Sequence, residues 1–411
     1  MTMRAPKGTD DFLPPESDLW RELLRAFDEM AEAWGYGLVM TPIFEHTELF
    51  ERGVGEATEV VEKQMYTFAD RGGRSITLRP ENTAGVVRAY LQSGGQGVFK
   101  GAYSGPMFRY EQPQAGRRRQ FYQVGIEYLG EESPDADVEV IEFGYRLLER
   151  VGIDDTVVLV NSIGDPEDRV AYRELLVAYL ERRRDDLSPD ARRRLGDNPL
   201  RVLDSKADAD LVADAPLPTD HLGDAAAAHY ESVLAGLERR GLRTEAAPRL
   251  VRGLDYYNRT VFEYQSPSYT AAQDALGGGG RYDPLAGMLG GNDVPAVGLA
   301  MGCDRITLAM AERRAEEPAT GLDVFVVVAD PDRRADAIDL TAAIRAAGGR
   351  ADLDLAGRSM KAQFRQAGRR GAAAVAVVGD EWAEGEVTMR RMDTGEETRI
   401  PIEEVAAWPT Q

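Results

Sequence analysis

Apolar residues recur at helical spacing near the beginning of the chain. Over residues 18–34, large apolar side chains follow one another every three or four positions, and Gly35 comes directly after them. This period predicts an amphipathic helix, and glycine is the residue that most often ends one. A strand is expected over residues 38–41. Pro42 then favours an edge or interface position, because proline cannot donate a hydrogen bond to a sheet.

Apolar runs further along the chain predict an antiparallel sheet. Residues 65–78 carry apolar and aromatic side chains on both sides of a polar turn at residues 70–73, which indicates a hairpin. Residues 99–108 and 119–128 are two more predicted strands, joined by a polar loop that contains glycine and proline. Strands that pair as hairpins and are followed by helices are typical of an α+β domain.

Two later segments differ from the first in composition and in hydrophobic pattern. A stretch rich in alanine, leucine, arginine and aspartate predicts a helical insertion at about residues 165–245. After a charged linker at residues 312–320, short apolar strands alternate with helices, which predicts a small, doubly wound α/β domain. We therefore expect one domain over residues 1–320, including the insertion, and a second over residues 321–411.

Composition excludes several classes of protein. The chain of 411 residues has one cysteine and three histidines, which excludes an internal disulfide and a Cys/His zinc cluster. It contains no apolar segment long enough for a membrane span and no apolar region of a signal peptide, so we expect a cytoplasmic protein without a membrane partner. The net charge of −21 argues against a nucleic-acid partner, although residues 116–119 and Arg369-Arg370 are basic clusters.

Four segments concentrate polar side chains among apolar ones. They are residues 78–85, the two strands with the loop between them (107–127), residues 250–258 and residues 300–305. Gln123 and Glu127 are separated by an even number of positions and therefore share one face of a strand. Charged groups among aromatic residues are costly unless they meet a ligand or one another. Each segment taken singly is equally compatible with an ion pair within the fold.

The order of these segments resembles the class II aminoacyl-tRNA synthetases and, within them, the histidyl-tRNA synthetase family. Thr41-Pro42 is similar to motif 1, at the family's dimer interface, FRYEQPQAGRRRQFYQ to motif 2, and GLAMGCDR to motif 3. LVRGLDYYNRTVFE and GGGGRYD resemble the two signatures of the histidine enzyme. The resemblance covers the whole chain and implies a class II antiparallel-sheet catalytic core followed by an anticodon-binding α/β domain.

The resemblance implies an enzyme that activates L-histidine with ATP and transfers it to the 3' end of tRNA-His, as a homodimer. Mg²⁺ is expected to arrive with ATP, with no dedicated metal site in the protein. Arg109 is expected at the ATP α-phosphate, Arg252 between the histidine carboxylate and that phosphate, and Arg305 at the far phosphates or the adenine. Glu111 is the third ATP-binding residue that the resemblance implies.

The same resemblance assigns residues to histidine and to tRNA. Glu81, Thr83 and Gln123 are expected to bind the α-amino group, and Glu127 and Tyr257 the imidazole nitrogens. The full histidine-binding set that it implies is Glu81, Thr83, Gln123, Glu127, Arg252, Tyr256, Tyr257 and Tyr282, with Gly280 beside them. The loop that it places at the tRNA acceptor end contains Gln112, Gln114, Arg117 and Arg118.

Three positions depart from the family pattern, and two other functions are alternatives. The family usually has arginine at position 112, an aromatic residue at 118 and glutamate at 304, where this chain has Gln112, Arg118 and Asp304. One alternative is the related regulatory subunit of ATP phosphoribosyltransferase, which does not aminoacylate tRNA. The other is a tRNA-sensing module. The intact signatures and the second domain favour the enzyme.

Overall fold

The computed structural model describes residues 3–55, 58, 60–114, 116–197, 199–203, 205–251, 254–269, 275–313 and 321–408. The chain divides into two compact units, Met1–Arg314 and Ala315–Gln411. In the described part, no helix combines the length and the apolar character needed to cross a membrane.

The first unit contains helices and strands in mixed order. In sequence they are α1 (Glu16–Ala33), β1 (Gly37–Leu38), β2 (Phe44–His46), α2 (Thr47–Val54), β3 (Tyr66–Ala69), β4 (Ser75–Leu78), α3 (Thr83–Gln92), β5 (Phe99–Phe108), β6 (Gln120–Leu129), α4 (Pro134–Arg150), β7 (Val157–Ser162), α5 (Pro166–Glu181), α6 (Pro189–Asp197), α7 (Ala209–Val212), α8 (Asp224–Arg239), β8 (Thr244–Ala246), β9 (Asn258–Gln265), β10 (Ala275–Arg281), α9 (Leu285–Met288), β11 (Ala296–Gly302) and α10 (Cys303–Arg313).

An eight-stranded sheet forms the framework of this unit, in the order β1-β5-β6-β11-β10-β9-β7-β8. Every pair from β5 to β7 is antiparallel, and only the two outermost pairs are parallel. A separate three-stranded sheet has the order β2-β4-β3. The predicted α+β core with an antiparallel sheet is therefore confirmed.

Helix α1 shows why the hydrophobic period predicted this architecture. Its apolar stripe, which includes Trp20, Leu23, Phe27 and Met30, is buried in the main core of the unit. Gly35 follows with φ +78°, a left-handed conformation that suits glycine after a helix. The next predicted strand is shorter than expected, because only Gly37 and Leu38 pair with β5.

The helices predicted at about residues 165–245 are present as α5 to α8. They have a small core of their own, to which α5 contributes Tyr172, Leu176 and Leu180. Strand β7 leads into α5, and β8 returns the chain beside β7. The base of this helical part therefore lies at the edge of the eight-stranded sheet.

The second unit is an α/β fold. Its elements are β12 (Val324–Val328), α11 (Arg334–Ala346), β13 (Ala351–Leu353), α12 (Met360–Arg369), β14 (Ala374–Val378), β15 (Glu386–Arg391), β16 (Glu397–Pro401) and α13 (Ile402–Val405). The sheet has the order β13-β12-β14-β15-β16, with the first three strands parallel. Helices α11 and α12 pack on alternate residues of β12, and hence on opposite faces, which confirms the doubly wound prediction. The antiparallel pair β15 and β16 was not predicted.

Candidate active site

One pocket in the first unit collects most of the residues that the motifs predicted. Its walls come from β5, β6, β9, β10, β11, the loop between β5 and β6, the residues just before β9, and the beginnings of α3 and α10. The predicted residues that line it are Glu81, Thr83, Arg109, Glu111, Arg117, Arg118, Gln123, Tyr256, Tyr257, Tyr282 and Arg305. Glu127 is bonded to two of them, whereas Gln112 and Gln114 are exposed outside the pocket. Arg252 lies outside the described residues.

The carboxylate of Glu127 is fully buried next to the pocket. Thr83 Oγ1 donates to its Oε1 at 2.7 Å, and the Tyr282 hydroxyl donates to its Oε2. Burial raises the pKa of Glu127 to about 8, despite these two bonds, which favour the charged form. The group can therefore hold or release a proton near neutral pH.

A neighbouring glycine makes room for this carboxylate. A Cβ at Gly298 of β11 would lie 1.8 Å from Glu127 Oε2. A side chain at position 298 would therefore displace the group on which the polar end of the pocket depends. This glycine is the first residue of GLAMGCDR, the segment similar to motif 3, but it was not among the predicted site residues.

Glu81 occupies the N-terminal end of α3. Its two carboxylate oxygens accept hydrogen bonds from the backbone N–H groups of Thr83 at 2.7 Å and Ala84 at 3.0 Å. Burial raises the pKa of Glu81, and these bonds together with the nearby Arg109 oppose that rise. Two acidic groups, Glu81 and Glu127, therefore stand on either side of Thr83 in a buried setting, which suits a cationic or N–H-rich ligand.

The buried amide oxygen of Gln123 has no hydrogen-bond partner among the described residues. A buried polar atom without a partner is costly, and in a pocket it indicates a position that a ligand fills. The hydroxyl of Tyr103, also buried in the pocket, lies close to Thr83 and Glu127. Gln123 was predicted from the sequence, whereas Tyr103 was missed.

Three tyrosines form the apolar wall. The rings of Tyr256 and Tyr257 are 4.7 Å apart, and Tyr282 lies 5.6 Å from Tyr256. A Cβ at Gly280 would lie 2.9 Å from the Tyr257 ring, so glycine allows this ring to approach β10 closely. The wall places an aromatic surface beside the acidic groups, as a small heteroaromatic ring requires.

The guanidinium of Arg109 lies near Glu81 and is held in a fixed orientation. Its Nε donates to the carbonyl of Pro80 at 2.9 Å, and the group lies 5.2 Å from the centroid of the Phe121 ring. Burial lowers the pKa of Arg109, opposed mainly by Glu111 and Glu81. A planar cation in a fixed orientation can bind an anionic oxygen without first having to be ordered.

Arg305, at the beginning of α10, contacts the loop between β5 and β6. Its Nε donates to Gly116 O at 3.2 Å, and its Nη1 donates to Ala275 O at 2.7 Å. Arg117 pairs with Glu111 in the same part of the pocket. The guanidinium groups of Arg117 and Arg305 therefore line this end of the pocket, where they can bind phosphate oxygens.

Two of the departures from the family pattern touch each other. Arg118 Nη1 donates to the buried carboxylate of Asp304 at 2.5 Å, and its Nε donates to Asp10 at 2.7 Å. The other oxygen of Asp304 accepts from the backbone N–H of Tyr122. The arginine that replaces an aromatic residue is thus paired with the aspartate that replaces a glutamate.

Several wall residues were not identified from the sequence. Besides Tyr103, they include Phe121, Leu254 and Glu263. Tyr103 pairs with Gly125 across β5 and β6, midway between Gln123 and Glu127. The register of these two strands is the signal that finds it, and a single sequence does not contain that register.

Comparison with known proteins identifies the family. A family model described as "Histidyl-tRNA synthetase" matches residues 8–306, and a model described as "Anticodon binding domain" matches residues 323–409. The histidine–tRNA ligase of Halothermothrix orenii is 44% identical over 98% of this chain and 97% of its own length. The chain belongs to the histidyl-tRNA synthetase family.

Solved histidyl-tRNA synthetases have the same architecture. The structure of the apo S. aureus enzyme covers 100% of both chains with a TM-score of 0.79 at 36% identity. A Bacillus halodurans protein described as an ATP phosphoribosyltransferase regulatory subunit/histidyl-tRNA synthetase shares the fold with a TM-score of 0.67 at 23% identity and covers 92% of this chain. The regulatory alternative is not favoured, because the relatives that match the whole chain are ligases.

Proposed function

We propose that the pocket binds histidine at its Glu127 end and ATP at its Arg305 end, and that it joins them as histidyl-adenylate. Membership of the family makes the chain a histidine–tRNA ligase that uses ATP, with histidine and tRNA as its partners. The observation that carries the assignment of the two ends is the buried Glu127 carboxylate, bonded to Thr83 and Tyr282, beside an aromatic wall.

Histidine fits the polar end through three kinds of contact. In this proposal Glu127 and Tyr257 bind the imidazole nitrogens, with Tyr256 and Tyr282 packed against the ring. Glu81 and the unpaired amide oxygen of Gln123 accept from the α-amino group, and Thr83 keeps the Glu127 carboxylate in place. A pocket that hydrogen-bonds both ring nitrogens rejects analogues without them by about 10⁴-fold, because its buried groups are then unpaired.

The reaction needs no nucleophile from the protein. The histidine carboxylate attacks the α-phosphorus, a carboxylate–phosphorus bond forms, and the bond to the bridging oxygen breaks to release pyrophosphate. Arg109 stabilises the charge that develops on the α-phosphate oxygens, a role that the family resemblance implies for Arg252 as well. Arg305 binds the departing phosphates, and Glu111 fixes Arg117 beside them. A tRNA ribose hydroxyl then attacks the carbonyl carbon of the adenylate and releases AMP.

Mg²⁺ fits the phosphate end of the pocket. The carboxylates of Glu111 and Glu263 line that end, and oxygen is the ligand atom that Mg²⁺ prefers. When bound, it neutralises phosphate charge, whereas Arg109 and Arg305 orient the phosphates.

Pyrophosphate exchange into ATP tests the proposal. Purified protein with ATP, Mg²⁺ and histidine is expected to catalyse exchange, whereas phenylalanine, which lacks the ring nitrogens, is expected to stimulate none above background. Failure of histidine to stimulate exchange would contradict the proposed function. We place this reaction in the cytoplasm, where tRNA is aminoacylated.

We propose residues 1–320 as the catalytic domain, with the helical insertion inside it, and residues 321–411 as the anticodon-binding domain. Helix α12 offers the second domain a cationic surface: Lys361, Arg365 and Arg369 recur every four residues and are exposed. The helix contains no acidic residue, in a chain of net charge −21. Such a face supports phosphate contacts despite the negative overall charge. Gln112, Gln114, Arg117 and Arg118 stay assigned to the tRNA acceptor end.

Removing two cations from α12 is expected to weaken tRNA binding. Arg365→Gln/Arg369→Gln should raise the KM for tRNA about ten-fold and reduce its salt dependence, with pyrophosphate exchange unchanged. The matched control is Arg21→Gln/Arg25→Gln, an exposed pair at the same spacing on α1. Aminoacylation kinetics at several salt concentrations measure both. An equal rise in the control would mean that net charge, rather than this helix, determines tRNA affinity.

We propose a homodimer that buries the exposed apolar residues around motif 1. Met40 is 87% exposed beside β1, and Phe44 and Phe68 are exposed on β2 and β3. Because Phe44 pairs with Leu78 and Phe68 with Ile76, these side chains share one face of the three-stranded sheet. An apolar patch of this kind next to Thr41-Pro42 fits a second copy of the chain.

A charge in this patch is expected to separate the subunits. In a two-fold interface the substitution Phe44→Glu occurs twice, so it should raise the dimer dissociation constant by about 10²-fold or more. Val170→Glu, at an exposed apolar residue of α5, is the control that should leave the dimer intact. Sedimentation velocity over a concentration series measures both. A Phe44→Glu protein with an unchanged dissociation constant would contradict the proposed interface.

A further inference from the structure

The backbone at the beginning of β9 is strained. Arg259 has φ +47°, in the left-handed region, and among the described residues it is the only non-glycine residue with positive φ. At the same point the pairing with β10 changes register, from Gly280 opposite Val261 to Arg281 opposite Asn258. A strained residue in a bulge redirects its neighbours, and it persists only where surrounding contacts hold it.

This bulge directly follows the tyrosines of the pocket wall. Tyr256 and Tyr257 line the pocket, and the Tyr257 ring lies against Gly280, the residue at which the register changes. The direction in which the two side chains enter the pocket therefore depends on the backbone conformation of the next two residues, Asn258 and Arg259.

Backbone contacts with the turn between β7 and α5 hold the strained residue. Ile163 N donates to Arg259 O at 2.9 Å, and Arg259 N donates to Gly164 O at 2.8 Å. Gly164 itself has φ +74°, and a Cβ there would lie 2.7 Å from the Cβ of Asp168. The turn at which the chain leaves the sheet for the helical insertion therefore holds Arg259 in its strained conformation.

Side chains of the same turn complete the contact on both sides of the bulge. Asp165 accepts two hydrogen bonds from Arg259, from Nε at 2.7 Å and from Nη2 at 3.1 Å. Arg169, in α5, donates from Nη1 to the carbonyl of Tyr257 at 2.8 Å. His229 of α8 lies 3.4 Å from Arg259 Nη1. Both helices of the insertion that approach the sheet here thus contact the bulge.

We propose that residues 163–169, the base of the helical insertion, position the histidine pocket. Arg169 and the Asp165–Arg259 ion pair fix the bulge that directs Tyr256 and Tyr257 toward histidine. The inference rests on the proposed function, in which these tyrosines bind the substrate. It assigns no contact with the substrate to Asp165, Arg169 or Arg259, which act through the tyrosines as positioning residues.

A matched pair of substitutions on α5 tests the role of Arg169. Arg169→Gln removes the charged donor to Tyr257 O, and it should raise the KM for histidine about ten-fold while changing the KM for ATP by less than about two-fold. Arg173→Gln is the control, because this exposed arginine donates to Gly196 O within the insertion. It should leave both KM values unchanged. Pyrophosphate exchange with each substrate varied in turn gives the kinetics, and thermal melting reports the fold.

Substitutions of the ion pair separate strain from positioning. Arg259→Gly relieves the left-handed strain but removes the pair, and Asp165→Asn removes the charge while keeping an acceptor. Both should raise the KM for histidine, and the double variant should be no worse than the worse single variant, because both act through one contact.

Several results would overturn the proposal. Equal rises in the KM for histidine and for ATP would assign these contacts to fold stability alone, and so would a lower melting temperature with an unchanged KM for histidine. An Arg173→Gln variant as impaired as Arg169→Gln would do the same. Absence of histidine-dependent exchange in the unsubstituted protein would refute the proposed function and, with it, this inference.

Discussion

Replacing Arg109 with glutamine is expected to lower kcat for histidine-dependent pyrophosphate exchange by about 10²–10³-fold. Its bond to Pro80 O and its position over Phe121 fix the guanidinium before substrate arrives. Negative charge on the α-phosphate oxygens grows as the histidine carboxylate attacks, so the lost cation costs more in the transition state than in the bound substrates. Exchange kinetics should therefore show the loss mainly in kcat, with the KM for histidine changed by less than about three-fold.

A second arginine of the same loop provides the control. Arg119 lies over the Tyr110 ring at 3.9 Å and donates to Glu111 O, but it does not line the pocket. Arg119→Gln should keep kcat within about three-fold of the unsubstituted protein. Arg109→Lys should be intermediate, since it keeps the charge but loses the planar fork. Equal losses in the Arg109→Gln and Arg119→Gln proteins would mean that the loop needs positive charge in general.

The strands that the sequence predicted well are those whose hydrophobic pattern is strong. Strands β12 and β14 are buried apolar runs, and their predicted bounds agree with the structure. Strand β16 (ETRIP) is largely exposed, and its pattern is close to that of a polar loop. Strand β15 (EVTMRR) alternates polar and buried apolar residues as a half-buried strand does, and this signal was overlooked. The parallel strands of the second sheet were therefore predicted, whereas its antiparallel strands β15 and β16 were not.

The part of the site that the sequence predicted is the part carried by motifs. Glu81, Thr83, Arg109 and Gln123 were assigned from the resemblance of their segments to the histidyl-tRNA synthetase family, and all four line the pocket. Tyr103 was missed because a slip of one residue between β5 and β6 would turn its side chain to the other face. Hydrophobic pattern alone does not determine that register.

Ion pairs between residues far apart in the chain could not be predicted from the sequence either. Arg118 and Asp304 are 186 residues apart, and from the sequence each was a separate departure from the family pattern. Only the fold shows that the two side chains form an ion pair at the pocket wall. The Asp165–Arg259 pair behind the tyrosines is of the same kind, because it joins the helical insertion to a strand 94 residues later.

Replacing Glu127 with glutamine is expected to lower kcat/KM for histidine by about 10²–10⁴-fold, with the KM for ATP changed little. Glutamine keeps the volume and one acceptor for Thr83 or Tyr282, but it cannot share a proton with an imidazole ring. Exchange kinetics measure the effect. Glu263→Gln, at the phosphate end, is the comparison, because it should change the ATP parameters rather than those of histidine. A Glu127→Gln protein that binds histidine normally would refute the assignment of the imidazole.

The pH dependence of the KM for histidine follows from the pKa of Glu127. Burial raises that pKa to about 8, whereas the imidazole of free histidine titrates near pH 6.5. If the complex holds one proton between the carboxyl group and the ring, binding needs no proton exchange between these two values. Below this range the imidazolium must release a proton, and above it Glu127 must take one up. The KM should therefore be lowest at about pH 6.5–8 and rise about ten-fold per pH unit beyond either end.

The rise of the KM for histidine above pH 8 does not come from the titration of neighbouring side chains. Burial raises the pKa values of Tyr103, Tyr256 and Tyr282 well above 10, so these hydroxyls stay protonated, and Arg109 stays charged although burial lowers its pKa. Glu81 has a raised pKa and is present in both proteins. The substrate's α-amino group also titrates in alkaline solution and raises the KM for histidine in both proteins. The contribution of Glu127 is therefore the part of the rise above pH 8 that the Glu127→Gln protein does not show.

The same titration gives a stability test that needs no substrate. Because the folded-state pKa of Glu127 lies above its ordinary value of 4.5, the neutral carboxyl group contributes stability that is complete below pH 4.5 and is lost progressively until the pH has risen through about 8. Between about pH 5 and 8 the melting temperature of the unsubstituted protein should therefore fall relative to that of Glu127→Gln, which cannot ionise, and above about pH 9 the two curves should be parallel. Curves that are parallel between about pH 5 and 8 as well would mean that the pKa of Glu127 is not raised, and the upper limb of the KM profile would then have to come from histidine alone.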